Sequence, residues 1–122
     1  MIRRLARDRD GATAVEFALL LPVLVAMLLG LLSVGMLAFA SNSLQFAAED
    51  AARCAAVKTT VCTSAASTQA YALARYAGPK ITPAFTYAQA ACGHRVTATG
   101  VFDLGLVPQI SRVTLNATAC YA

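Results

Sequence analysis

From Phe17 to Ala40 the chain runs FALLLPVLVAMLLGLLSVGMLAFA, 24 residues without a charged side chain. As an α-helix such a segment is ~36 Å long at ~1.5 Å per residue, enough to cross a hydrocarbon core of ~30 Å. A chain of 122 residues holds one small domain at most. A domain of that size has no interior in which to bury this run, so the segment is expected to span a membrane.

The charges surrounding the run set its expected direction. Arg3, Arg4, Arg7 and Arg9 crowd the first ten residues together with Asp8 and Asp10, and Glu16 is the only charged side chain between Gly11 and Ala48. After the run, Ser41-Asn42-Ser43 begins an uncharged stretch that lasts to Glu49. The positive-inside rule then puts the amino end in the cytoplasm and everything after Ala40 outside. Half of the formal charge of +4 sits in the first ten residues. It reads as a topology signal, and no nucleic acid is expected as a partner.

An ordinary secretory signal has an apolar region of only ~7–15 residues, shorter than this one. A different signature stands at Gly11, where RDRDG is followed by ATAVEF and then by the apolar run. Here a small residue precedes the hydrophobic segment, and a glutamate falls fifth counting from Ala12. This resembles the cleavage signal of type IV pilin-like proteins. More closely, GATAVEFALLLPVL is similar to the opening of the TadE-like family, minor pilin-like proteins of tight-adherence (Flp-type) pilus systems. The resemblance continues more loosely through Glu49-Asp50-Ala51-Ala52-Arg53 and the C-terminal LNATACYA. It implies cleavage between Gly11 and Ala12 by a prepilin peptidase, retention of the apolar helix, methylation of the new amino terminus, and a place in pilus assembly. The implied partners are the inner membrane, that peptidase, and other pilin-like subunits with their assembly machinery. No small-molecule substrate and no cofactor are implied.

The chemistry of Glu16 fits the same picture. A carboxylate at mid-membrane costs ~2.5–3.5 kcal/mol on insertion scales, and less near the interface. Cleavage after Gly11 creates an amine at Ala12, four residues earlier on the same helical face. Glu16 can then pair with that amine or with the amine of a neighbouring subunit, which makes it the expected subunit-docking residue. Pro22 removes the backbone donation to the Ala18 carbonyl, so a kink is expected there. Ala26, Gly30 and Ser33 recur at helical spacing and would let another helix approach.

Beyond the span, Leu44, Ala47, Ala48, Ala51 and Ala55 repeat at helical spacing, and Glu49 with Arg53 forms an expected i,i+4 pair. One helix is expected from about Ala12 to Val57. A second is expected from about Ser67 to Ala77, with Ala70, Leu73, Ala74 and Ala77 on its packed face and Gly78-Pro79 as its stop. Strand formers follow in 85–89, 95–102 and 113–121. Val96, Ala98, Gly100 and Phe102 alternate onto one face, as do Val113, Leu115, Ala117, Ala119 and Tyr121. The fold class is therefore α+β: a long N-terminal transmembrane helix extending into a small outer domain with a second helix and a three-stranded antiparallel sheet, a pilin-like arrangement. The expected organisation is a leader over 1–11, a span over 12–40 and an extracytoplasmic domain over 41–122.

Four cysteines, Cys54, Cys62, Cys92 and Cys120, all fall on the expected outer side, where an even count reads as two disulfides. Folding the last two strands back across the 103–111 loop sets Phe102 near Arg112 and His94 near Cys120. Cys92 then reaches Cys120, leaving Cys54 for Cys62. No CxxC is present and His94 has no second close ligand, so no metal is expected. Nor is catalysis: Asp103 is the only acid after Asp50, and no serine is singled out to join it and His94. Asn116-Ala117-Thr118 reads as strand surface rather than a glycosylation site, and the apolar loop 104–110 as domain core or a contact patch. Two functional expectations remain. One is a processed minor pilin or pseudopilin. The other is an uncleaved membrane-anchored scaffold factor of a pilus or secretion system.

Overall fold

The structure, a computed structural model, describes residues 9–105 and 112–122, with Arg9 and Asp10 described by backbone alone. Arg3, Arg4, Arg7 and most of the 104–110 loop lie outside the described residues. Two helices and three strands follow in the order α1 (Arg9–Val57), α2 (Ala65–Arg75), β1 (Ala84–Ala90), β2 (Gly93–Asp103) and β3 (Arg112–Tyr121). The class is α+β. The chain divides into two compact units, Met1–Val34 and Gly35–Ala122.

In the first unit, α1 carries the apolar run, and Gly11 through Leu29 are all exposed. Leucine, alanine and methionine propagate a helix well, and Pro22 lies inside the helix without ending it. The Ser33 hydroxyl donates to the Leu29 carbonyl at 2.9 Å, so even this polar group finds its partner within the helix. A helix that bonds all its own backbone and shows apolar side chains on every side is the form a hydrocarbon environment accepts.

In the second unit, the rest of α1 presents Ala40, Leu44, Ala47, Ala48 and Ala51, each fully buried. Opposite them lies the inner face of a sheet in the order β1-β2-β3, made by Phe85, Val96, Ala98, Phe102, Leu115, Ala117 and Ala119. Small residues on both sides let helix and sheet backbones come close. Of the expected β3 face, Val113 near the start of the strand is half-buried and Tyr121 at its end is exposed.

Three expectations are corrected. The β2–β3 register pairs Phe102 with Val113, Arg95 with Cys120 and His94 with Tyr121, one residue from the expected pairing. The reason is parity. Directly opposed residues share a face, so the even-numbered inward residues of β2 must oppose the odd-numbered inward residues of β3. Helix α2 also starts and ends two residues early. Its N-cap is Ser64, which forms a reciprocal capping box with Ser67. Its buried positions are Thr68 and Ala72, flanked by Tyr71, while Ala70, Leu73, Ala74 and Ala77 are exposed. Thr68 tolerates burial because its hydroxyl donates to the Ser64 carbonyl at 2.9 Å. Finally, Glu49 accepts a bond from Gln45 at 2.8 Å in place of the expected pair with Arg53.

The β1–β2 turn uses Gly93 at φ 116°, a left-handed conformation that side chains resist. A Cβ there would also collide with the Tyr121 carbonyl oxygen and the Ala122 Cα.

Replacing Ala48 by leucine forces extra methyl groups into the closed α1–sheet contact and is expected to cost about 1–3 kcal/mol. The same change at exposed Ala74 is expected to cost less than about 0.5 kcal/mol. Chemical denaturation of the detergent-solubilised chain, followed by circular dichroism, checks both values. Equal losses would contradict the observed faces.

Candidate functional site

The residues singled out by sequence separate into two groups along α1. Gly11, Ala12 and Glu16 lie in its first turns, where all three are exposed. Among the described residues, no side chain or distant backbone atom lies within 4 Å of the position a Cβ on Gly11 would take. Ala12 and Glu16 are one turn apart on one face, a separation of ~5–6 Å between Cβ atoms in a regular helix. A chain beginning at Ala12 would thus carry its α-amine within reach of the Glu16 carboxylate. Pro22 follows within the same helix.

The four cysteines form two bonds, Cys54–Cys62 with an S–S distance of 2.08 Å and Cys92–Cys120 with 1.94 Å. The first closes the C-terminal end of α1 onto the loop that leads to α2, and Tyr71 and Tyr87 pack over it. The second ties the β1–β2 turn to the end of β3. All four sulfurs are consumed in these bonds. Among the described residues, no group of three or more His, Cys, Asp or Glu side chains converges on a point.

Sequence reasoning missed the polar cluster that joins α1 to α2. The Arg75 Nε lies 3.0 Å from Asp50 Oδ2, and the Tyr71 hydroxyl donates to the same oxygen at 3.1 Å. Arg75 Nη2 donates to the Tyr71 hydroxyl at 2.9 Å, and its guanidinium also lies over the Tyr71 ring. That hydrogen bond, followed by the charges of Tyr71 and Asp50, holds the Arg75 proton more tightly than usual. Asp50 and Arg75 are 25 positions apart, so no local spacing signals the pair. Burial raises the Tyr76 phenol above its ordinary value while its hydroxyl donates to the Pro79 carbonyl at 2.8 Å. A further bond of 2.6 Å links the Tyr87 hydroxyl and His94 Nδ1. These contacts brace the outer unit.

Among the described residues one helix is long and apolar enough to cross a membrane, and the same helix continues into the disulfide-bonded α+β unit. Residues 11–53 match the family model described as TadE-like protein, so this stretch of α1 is TadE-like. No curated protein and no solved structure matches the chain.

Removing the Cys92–Cys120 bond tests its structural weight. Chain entropy assigns about 3.5 kcal/mol to a loop of this length and about 2.5 kcal/mol to the shorter Cys54–Cys62 loop. Because Cys92 and Cys120 are exposed, the double change to alanine loses little packing besides. A drop of about 3.5 kcal/mol in chemical denaturation is expected, and one below about 1 kcal/mol would contradict the entropy account.

Proposed function

We propose that the chain is a TadE-like minor pilin or pseudopilin that takes part in assembling a tight-adherence (Flp-type) pilus. A leader over 1–11 is removed by a prepilin peptidase after Gly11, a span over 12–40 holds the chain in the bacterial inner membrane, and residues 41–122 lie in the periplasm. The observation that carries this reading is the pairing of an accessible Gly11–Ala12 bond with Glu16 one turn later, at the head of an apolar helix whose sequence matches the TadE-like model.

The physical logic is charge compensation. Exposed apolar side chains from Val15 to Met36 favour transfer into lipid or against other apolar helices, whereas an unpaired Glu16 opposes deep insertion. A free amine at Ala12 offsets that charge within the chain. The amine of an adjacent subunit does the same between chains, and in the low-dielectric interior the pairing selects one axial offset between helices. The role is structural: the protein contributes a packed helix and a braced outer unit, with partners drawn from pilin-like subunits and the assembly machinery.

Intact-mass measurement of the protein from its native membrane is expected to give a chain that begins at Ala12. Exchange of Gly11 for isoleucine is expected to leave the leader in place. Glu16→Ala is expected to be processed normally yet to be lost from, or strongly depleted in, sheared pili. Recovery of a mature wild-type chain that still carries Met1 would favour the uncleaved scaffold factor instead.

A further inference from the structure

The two disulfides stand in opposite surroundings. Cys54 and Cys62 are 1% and 7% exposed, beneath Tyr71 and Tyr87. Cys92 and Cys120 are both exposed. Beside the second bond stands a cation: Arg95 is the residue directly opposite Cys120 in the β2–β3 ladder, and its Nη2 lies 3.7 Å from Cys92 Sγ. Cys120 also lines an open groove of about 550 Å³ between the end of β3 and α1, bordered by Gln45, Phe46, Glu49 and Arg53. Both cysteines of this bond are thus exposed, and Cys92 Sγ has a guanidinium placed to receive negative charge.

We propose that Cys92–Cys120 is a thiol-exchange site at which a dithiol attacks Cys120 Sγ and Cys92 departs as a thiolate held by Arg95. Exchange proceeds by attack of a thiolate along the S–S axis, and a leaving sulfur whose negative charge is stabilised departs faster. In the first step the attacking thiolate forms a new S–S bond to Cys120 Sγ. The Cys92–Cys120 bond breaks, and its electron pair goes to Cys92 Sγ. In the second step the other thiol of the dithiol gives its proton to water and attacks its own partner sulfur in the mixed disulfide, releasing Cys120 as a thiolate. The dithiol is oxidised to a disulfide and the two cysteines are reduced, so electrons balance.

The consequence is local. Opening this bond unties the end of β3, with Tyr121 and the groove beside it, from the β1–β2 turn. The Cys54–Cys62 bond stays shut because its sulfurs are covered. This inference concerns the outer unit alone and stands or falls independently of leader processing.

The test uses the full chain in detergent micelles, treated under native conditions with limiting dithiothreitol or, to trap the first step, with reduced glutathione. After acid quench and alkylation, peptide mass mapping is expected to show glutathione on Cys120, a free Cys92 and an intact Cys54–Cys62 bond. Arg95→Gln is expected to slow opening by about threefold, and Arg95→Lys to restore most of the rate, which a merely structural role for Arg95 does not predict. An unchanged, slow reduction of Cys54–Cys62 in each variant verifies that the fold is retained. Opening of both bonds at equal rates, glutathione trapped on Cys92, or an Arg95→Gln rate equal to wild type would overturn the proposal.

Discussion

A peptide group placed in hydrocarbon has no water with which to bond, and this constraint shapes the whole molecule. Over 24 uncharged residues the only continuous solution for a single segment is an α-helix that closes every internal N–H and C=O on itself. Once that helix is formed there is no reason for it to stop at Ala40, since Leu44, Gln45, Ala47 and Ala48 are all helix-compatible. The same element therefore continues into the second unit and becomes the wall on which the outer sheet is built. What changes along α1 is its surface. Side chains through Leu29 are exposed all round, whereas from Ala40 onward one narrow alanine-rich stripe is fully buried.

The outer unit is small, and its core consists largely of alanine. Such side chains contribute little apolar area each, so stability leans on close approach and on cross-links more than on bulk. Two disulfides, the Asp50–Arg75–Tyr71 cluster and the capping box at Ser64 supply those restraints. The polar cluster is exposed enough that its value lies in orienting α2 against α1 rather than in large energy. Ser43 adds a similar brace, accepting the Ala77 N–H at 3.0 Å where the chain leaves α2.

The two ends of α1 differ in their surroundings. At the start, Gly11, Ala12 and Glu16 are all exposed on the first turns of the helix. Toward the other end, the outer unit presents a sheet edge with an accessible disulfide.

Much of this was legible from residue order, because the governing signals are local. A long uncharged run, Gly11 and Glu16 ahead of it, the alanine repeat to Ala55 and the alternation in β2 and β3 each depend on neighbours a few positions away. By themselves they determined the membrane-length helix, the α+β class and the face that β2 and β3 turn inward. Tertiary structure alone decided which face of α2 is buried, since Thr68 satisfies its hydroxyl on its own helix and so takes a place that hydrophobicity would have given to Leu73. It also decided that Asp50 meets Arg75 and that Arg95 stands beside the Cys92 sulfur. Those are long-range or geometry-dependent encounters, fixed by how strands register and helices pack, and no periodicity along the chain encodes them.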